Sequence, residues 1–386
     1  MKSFLKFLSL IYFNFIFTNL YAQTTLDTTL EKYSLQFTPE KIHLHTDKET
    51  YLPGETIWFK AYILADDMPT TQSTNLYVDL IDAKGKLVEH KTMPILAATA
   101  DSYFKLPDSS NQNNYTLKAY TTWMLNFDIA FIYQKTITVF NNKSLEKTNE
   151  EKTTVALQFF SEGGNMIAGQ YNYIAFKATQ NNGQPYNINA AIKNGKNEFI
   201  DSIATEHDGM GLLKFTPQTN EVYTAEWKDN NGDYRKTQLP IPQIQGIQLH
   251  AEQAGNNLFY LINKTADANN LNELTIVATM YQKIVYKATI KMSQQSTNQK
   301  IHTKDFATGI LQLTVFNSNN KPLAERIVFI NNNNYTFENK ITVTEKSTAK
   351  RGLNKIEIEI PDTLSSNLSV AVYDANLTQQ ETNRNI

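Results

Sequence analysis

The sequence predicts an all-β protein made of immunoglobulin-like antiparallel β-sandwiches in tandem. Apolar and polar residues alternate with a period of two along many short runs, and turn-forming residues separate these runs. No strong amphipathic helix pattern is present, so we expect a low helix content. The chain also contains 20 Tyr, 21 Phe and 3 Trp, which favour β-sheet surfaces over helices.

The clearest strand pair begins at Lys41, in the sequence KIHLHTDKETYLPGETIWFKAYIL. Its centre is the turn 52–55, where Pro53 sets φ near −65° and Gly54 supplies the positive φ that a type II turn requires. After the turn, Ile57, Phe59, Ala61 and Ile63 alternate with Trp58, Lys60 and Tyr62. We therefore predict a β-hairpin with one apolar face and one aromatic, basic face.

Residues 1–22 have the pattern of a secretory signal peptide. Lys2 and Lys6 form a basic start, and a short apolar run from Phe7 to Phe17 leads to the small residue Ala22. The alternative is an uncleaved membrane anchor. A membrane span needs about 20 apolar residues, and this run is shorter and interrupted by polar side chains, so cleavage is favoured.

Composition excludes several classes of function. The chain has no cysteine, which removes disulfides, thiolate metal sites, cysteine catalysis and any internal thioester. Its 36 basic and 38 acidic residues nearly balance, so no basic field is available to attract nucleic acid. We predict no nucleic-acid partner, no small-molecule cofactor and no metal.

The polar and turn-forming runs between the strand-like segments predict three sandwiches and part of a fourth. The first covers residues 40–141, and the polar run 141–152 reads as a linker. The second covers 154–242 and the third 247–333. Residues 338–386 read as a partial fourth sandwich. Together they predict an almost all-β rod.

The fourth unit has too few strands to be complete. It offers three strand-like runs, in which Ile356, Ile358 and Ile360, or Leu368, Val370 and Val372, form apolar alternations. A sandwich needs about seven strands, because a single sheet leaves its apolar face uncovered. We therefore expect this unit to pack weakly on the third sandwich or to be loosely ordered, with an open strand edge.

Several segments resemble the macroglobulin-type domains of alpha-2-macroglobulin-like proteins, in the version carried by large exported proteins of Gram-negative bacteria. The segments are HTDKETYLPGETIWFKAY at 45–62, YTLKAYTTWMLNF at 115–127, FFSEGGNMIAGQYNYIAFKA at 159–178, HDGMGLLKFTP at 207–217 and GILQLTVFNSNNKPLAERIVFI at 309–330. The resemblance extends from Glu40 to about Asp374.

The resemblance implies a string of β-sandwiches that often precedes the plug and barrel of a TonB-dependent outer-membrane transporter, or further extracytoplasmic modules. Protease-trapping members of the family use a Cys-Gly-Glu-Gln thioester and a cleavable bait segment. This chain has no Cys and no long unpatterned loop, so covalent trapping does not carry over.

A search for catalytic or metal-binding motifs leaves no site residue. His43 and His45 share a strand face and could share a metal, but the neighbouring Lys41 opposes a cation and no third ligand is evident, which favours solvent-facing strand residues. The pair His207-Asp208 precedes two glycines in His-Asp-Gly-Met-Gly, which is typical of a turn between strands.

Three further candidates have structural alternatives. The loop at Asp229 departs from calcium-loop spacing and reads as a hairpin turn, and Ser161-Glu162-Gly163-Gly164 lacks the glycine before Ser of a nucleophile elbow. An aromatic platform for carbohydrate or peptide, formed by Trp58, Tyr62, Tyr120 and Trp123, competes with core or inter-domain packing, which is the commoner use of such residues.

Two functions remain open from the sequence. One is a non-enzymatic protein-binding protein, inhibitor-like towards endopeptidases but without a thioester. The other is the soluble architectural region of a TonB-dependent transporter or surface assembly. Both place the protein in the periplasm or at the outer membrane or cell surface, with a protease or a transport component as protein partner. Membrane association would come only through that partner or through a further C-terminal region.

We predict that the exported protein is cleaved next to Ala22, because the small residue follows the apolar run at the position that signal peptidase requires. N-terminal sequencing of the mature protein checks this. A mature chain that still begins at Met1 would contradict it.

Overall fold

The computed structural model describes residues 25–108, 114–140, 154–181, 183–229, 231–266, 271–334, 339–360 and 366–372. Strands make up 57% of the described residues and helices 6%, so the prediction of tandem all-β sandwiches is confirmed. The predicted signal peptide and the linker 141–152 lie outside the described residues.

The first sandwich is formed by nine described strands. They are β1 (Glu40–Thr46), β2 (Thr50–Tyr51), β3 (Thr56–Ala65), β4 (Met68–Pro69), β5 (Asn75–Asp82), β6 (Leu87–Pro94), β7 (Thr99–Lys105), β8 (Asn114–Tyr120) and β9 (Tyr133–Val139). In one sheet β3 lies between β1 and β7, and the short β4 pairs with the end of β3. The other sheet has the order β2-β9-β8-β5-β6.

The second and third sandwiches each have seven described strands. The second contains β10 (Val155–Ser161), β11 (Asn172–Gln180), β12 (Asn189–Asn194), β13 (Phe199–Ala204), β14 (Met210–Phe215), β15 (Tyr223–Lys228) and β16 (Tyr234–Gln238). The third contains β17 (Ile247–Ala254), β18 (Asn257–Lys264), β19 (Glu273–Met280), β20 (Lys283–Lys291), β21 (Ser296–His302), β22 (Gly309–Asn317) and β23 (Pro322–Ile330).

All three sandwiches repeat one topology. The sheets are β10-β11-β14 and β13-β12-β15-β16 in the second sandwich, and β17-β18-β21 and β20-β19-β22-β23 in the third. If the seven strands are counted from one within each sandwich, strands one, two and five form one sheet. Strands four, three, six and seven form the opposite sheet, in that order. The first sandwich follows the same order once the short β2 and β4 are set aside. The fourth strand lies beside the third, whereas in constant-type immunoglobulin domains it joins the first sheet.

Each sandwich closes over its own hydrophobic core, and the alternation in β3 shows how. Ile57, Phe59, Ala61 and Ile63 are all buried in the core of the first sandwich, as the sequence predicts. The second and third cores are built in the same way from the inward residues of their two sheets. Without disulfides, these three apolar cores are the main source of stability.

The turn at Gly54 is confirmed, but the simple hairpin around it is wrong. Gly54 has a φ of +79°, and the amide of Glu55 donates to the carbonyl of Leu52 at 3.2 Å, as in a type II turn. However, the residues before the turn, β2, pair in parallel with β9 of the opposite sheet. The buried ring of Tyr51 holds them there, while β1 and β3 pair directly.

One helix, α1 (Thr25–Gln36), was not expected from the sequence. Its Leu26 is buried against Val277 and Phe316 on the outer face of the third sandwich, and Asp27 forms an ion pair of 2.6 Å with Lys287 of β20. The helix covers two apolar side chains, Val277 and Phe316, that point outward from β19 and β22 and would otherwise face water.

The sandwiches are not arranged strictly end to end, so the predicted rod is wrong. Helix α1 packs on the third sandwich and ends only four residues before β1 of the first. An exposed ion pair of 3.9 Å also joins Asp67 of the first sandwich to Lys283 of the third. The first sandwich therefore lies next to the third.

The predicted fourth sandwich is a single hairpin in the described residues. It consists of β24 (Lys340–Glu345) and β25 (Lys355–Glu359). The third predicted strand is wrong, because residues 366–372 belong to no strand and Leu368, Val370 and Val372 are exposed. The hydrogen bonds described for residues 367–369 are with the first sandwich, as set out below.

Gly54→Val should destabilise the first sandwich by about 1–3 kcal/mol, because a β-branched residue is strained at positive φ. Thermal unfolding should show one earlier transition while the second and third sandwiches melt unchanged. Gly54→Asn is the matched control, since Asn tolerates positive φ and adds the same Cβ. Equal melting of the Val variant and the wild type would show that the turn carries no strain.

Candidate functional site

The candidate site is the outer face of the sheet formed by β1, β3 and β7 in the first sandwich. Because alternate residues of these strands fill the core, the others point outward. The outward residues include His43, His45, Trp58, Lys60, Tyr62, Thr99 and Tyr103, together with Asp101, which lies opposite Lys60. We call this set the aromatic–basic face.

Two aromatic rings lie side by side at one end of the face. Trp58 and Tyr103 are cross-strand neighbours, and their ring centroids are 4.9 Å apart. Trp58 is 55% exposed and Tyr103 45% exposed. The Nζ atom of Lys91, which pairs with Glu89 at 3.3 Å, lies 4.3 Å from the centroid of Tyr103, and that of Lys60 lies 5.7 Å from the ring of Tyr62.

Residues 366–372 of the same chain lie on this face. Lys60 donates from Nζ to the backbone carbonyl of Leu368 at 3.0 Å and also contacts the side-chain oxygen of Asn367. The amide of Asn367 donates to the hydroxyl of Thr99 at 3.1 Å. The face therefore already holds a polypeptide segment, partly through its main chain.

Ser369 is the deepest contact of that segment. Its hydroxyl accepts a hydrogen bond from the Tyr62 hydroxyl at 2.7 Å and lies 2.5 Å from Nδ1 of His45. Ser369 and Ala371 are partly buried, while Leu368, Val370 and Val372 point to solvent. This alternation is typical of an extended segment that places every second side chain on a surface.

The four aromatic candidates do not form one platform. Trp58 and Tyr62 lie on the aromatic–basic face, whereas Tyr120 stacks on Tyr77 at 5.5 Å on the outer face of the opposite sheet. The indole of Trp123 donates to the carbonyl of Thr38 at 2.7 Å, next to the start of β1. The platform is thus half as large as hypothesised, and Trp58 is not in a core.

The histidine pair of β1 has the geometry of strand residues and not of a metal site. The ring of His43 meets Tyr133 edge-on at 6.1 Å, and His45 contacts Ser369. Partial burial, together with the charges of Lys135 and His45, lowers the pKa of His43. No group of three His, Cys, Asp or Glu suited to a metal occurs among the described residues.

The turn at His207-Asp208 is confirmed. His207 and Met210 exchange backbone hydrogen bonds, and Asp208 has a φ of +46°. The two side chains do approach to 3.4 Å, although the sequence suggested that they point apart. His207 is 81% exposed and no nucleophile contacts it in the hydrogen bonds of the described residues, so the pair is a surface contact.

Asp229 closes the hairpin between β15 and β16, as the turn interpretation predicts. Its Oδ1 atom accepts from the amides of Asn231 and Asp233, and its Oδ2 atom pairs with Arg235 at 2.7 Å. Burial opposes ionisation here, but the hydrogen bonds from Arg235 and the two amides lower the pKa of Asp229 overall. The carboxylate is occupied by the turn itself.

The segment Ser161-Glu162-Gly163-Gly164 joins the second sandwich to the third, a role that the sequence analysis missed. Glu162 is 8% exposed, and its carboxylate lies 2.8 Å from Nδ1 of His250 and 2.8 Å from Nε of Arg326. Gly163 forms a bridge with Glu325 of β23, and a Cβ at this position would lie 3.2 Å from the backbone of Leu249.

A cleft of about 530 Å³ lies beside this joint. Tyr173 stacks on His250 with centroids 4.3 Å apart, and Lys214 lies 5.3 Å from the Tyr173 ring. The Oγ atom of Ser161 is buried without a hydrogen-bond partner, so His250 is not placed as its base. The geometry is that of a charged structural joint and not of a nucleophile elbow.

In the part of the chain that the structure describes, no helix is long and apolar enough to cross a membrane.

Comparison with known proteins gives similarity to solved structures alone. No protein-family model matches the chain, and no curated protein matches it. A mutant Salmonella alpha-2-macroglobulin is 10% identical with a TM-score of 0.25, and covers 84% of this chain and 25% of that one. Escherichia coli alpha-2-macroglobulin activated by porcine elastase is 11% identical with a TM-score of 0.26, covering 79% and 32%.

The BSP domain of a biofilm associated protein is also similar, with 11% identity, a TM-score of 0.25, and coverage of 79% of this chain and 69% of that one. The chain spans about a quarter of the length of the first macroglobulins that it matches. Identities and TM-scores this low say nothing about activity.

Glu162→Ala should destabilise the contact between the second and third sandwiches by about 1–3 kcal/mol, because it removes the nearly buried carboxylate that contacts both His250 and Arg326. Calorimetry should show these two sandwiches melting as separate transitions. Glu226→Ala is the control, since Glu226 pairs with Lys193 and Lys236 within the second sandwich alone. Unchanged joint melting of the Glu162 variant would contradict the assignment.

Proposed function

We propose that this chain is a non-enzymatic, exported protein of macroglobulin type that binds a protein partner through the aromatic–basic face. The observation that carries the proposal is the segment 366–372, which that face holds through a backbone carbonyl, an amide and a hydroxyl. A face that binds its own chain in this way has the groups needed to bind another polypeptide.

The chemistry of the face supports a protein partner. Exposed Trp and Tyr supply large, rigid contact areas with few rotatable bonds, and such residues are enriched at protein interfaces. Lys60 adds a donor for main-chain carbonyls at the centre of the face, and Lys91 a positive charge at its edge. This combination suits polypeptide better than a small molecule, which would need a concave pocket.

The location follows from the N-terminus. The basic start, the short apolar run and Ala22 support export to the periplasm or the cell surface of a Gram-negative bacterium. The proposed partner is then a protease or a component of outer-membrane transport. Inhibition of a protease would proceed without covalent capture, since the chain has no cysteine for a thioester.

A second candidate is an architectural role in a transporter or surface assembly. The joint at Glu162 favours it, because a nearly buried carboxylate between His250 and Arg326 fixes one sandwich against the next. Helix α1 adds a second tie, from the start of the first sandwich to the outer face of the third. Such ties give a spacer of defined shape.

Photo-crosslinking in the cells that produce the protein tests the proposal. Benzoylphenylalanine placed at Trp58 or Tyr103 should give one discrete protein adduct, which mass spectrometry identifies. The same group at Tyr234 is the control, because that residue is 79% exposed but lies on the second sandwich. With the partner purified, Lys60→Ala should weaken binding about tenfold, equivalent to about 1.4 kcal/mol.

The identity of the adduct separates the two candidates. A protease supports the inhibitor-like function, and a transport component supports the architectural one. Adducts of equal yield at all three positions, or none at the face, would refute the aromatic–basic face as the binding site. Turnover of a peptide or glycan panel by the pure protein would refute the non-enzymatic assignment.

A further inference from the structure

We infer that residues 366–372 are an intramolecular competitor that occupies the aromatic–basic face until an extended segment of the partner displaces them. This inference rests on the proposed function and adds the form of the ligand and its regulation. The form is an extended, uncharged polypeptide that presents a hydroxyl side chain between Tyr62 and His45, and a backbone carbonyl to Lys60.

The described hydrogen bonds of the segment are few and partly exposed, which makes it displaceable. Its three larger apolar side chains, Leu368, Val370 and Val372, are 43%, 66% and 84% exposed, and the Trp58–Tyr103 pair stays about half exposed. Each such hydrogen bond is worth about 0.5–1.5 kcal/mol. Of its apolar side chains only the small Ala371 is partly buried, which opposes release weakly.

Covalent attachment explains why the segment occupies the aromatic–basic face although its contacts are weak. A tethered segment has an effective concentration at its site on the order of millimolar, so a segment with millimolar affinity fills about half of the sites. A partner with the same polar groups and an apolar anchor on Trp58 gains affinity that the segment lacks. Competition then sets a threshold for binding.

The position of the segment in the chain also separates it from the fold around it. The hairpin β24-β25 that precedes it has exposed apolar residues on its strands and packs on no sandwich through an extensive contact. The described contacts of segment 366–372, through Asn367, Leu368 and Ser369, are with the first sandwich, about 300 residues earlier in the sequence. Release of the segment therefore disturbs no hydrophobic core.

The test uses a fluorescent peptide with the sequence of residues 366–372, SNLSVAV, titrated against full-length protein by anisotropy. In the variant Asn367→Ala/Ser369→Ala, the tethered segment loses its side-chain contacts. This variant should bind the peptide about twofold more tightly than the wild type, because a face that is half occupied by the tethered segment doubles the apparent dissociation constant of the peptide. Adding Lys60→Ala/Tyr62→Phe to it should abolish that gain.

Lys118→Ala in the released variant is the matched control. Lys118 lies 5.8 Å from the ring of Tyr120 on the opposite outer face, as Lys60 lies 5.7 Å from Tyr62, so it removes the same charge from the same kind of pair. It should leave peptide binding unchanged. Circular dichroism and thermal unfolding of each variant check that the sandwich is intact.

Two results would overturn the inference. One is equal peptide affinity of the wild type and the released variant, and the other is an equal loss of peptide affinity when Lys60→Ala/Tyr62→Phe or Lys118→Ala is added to the released variant. Either result combined with discrete crosslinks at Trp58 removes the competitor and leaves the proposed binding face standing. Crosslinks at Trp58 that increase in the released variant support both.

Discussion

The alternation of apolar and polar residues along each strand is the constraint on which this structure depends. A strand with one apolar face must bury it against a second sheet, and without disulfides nothing else replaces that burial. The chain meets the requirement three times with one strand order, and so builds three separate cores. The polar faces are thereby left outside.

Several described contacts that link one part of the molecule to another lie outside the three cores. The carboxylate of Glu162 connects the second and third sandwiches, Leu26 of α1 covers Val277 of the third, and Lys60 of the first holds residues 366–369. Two of these contacts are polar and one is apolar. The polar contacts fix geometry at a small net gain in free energy, whereas the apolar one removes surface from water.

The strands, the type II turn and the buried face of β3 could be predicted from sequence, because each depends on neighbours within a few residues. Contacts between distant segments could not. Nothing local shows that Tyr51 pairs across to β9, or that Ser161-Glu162-Gly163-Gly164 meets β23. In β19 only Val277 breaks the polar outward pattern, and such an outward apolar residue is a weak local signal for the cover that α1 provides.

Alternation also leaves the choice of inward face undecided, and residues 366–372 show the consequence. Leu368, Val370 and Val372 look like a core face, yet Ser369 and Ala371 are the residues turned towards the protein. The aromatic–basic face is a surface of hydrogen-bonding groups and exposed rings, and not an apolar groove. A hydroxyl at its centre satisfies Tyr62 and His45, which a leucine there would leave unpaired.

The two outer faces of the first sandwich show why one is the better binding site. On the β8 side, Tyr120 stacks on Tyr77, and burial together with the charge and hydrogen bond of Asp79 raises the pKa of Tyr120. Asp79 also pairs with His90 at 2.6 Å, so these polar groups satisfy one another. On the other side, Trp58 and Tyr103 stay half exposed, and Tyr62 finds its partner in a segment about 300 residues away. This second face forms hydrogen bonds with a polypeptide segment outside its own sandwich, and that is the physical basis for the recognition proposed above.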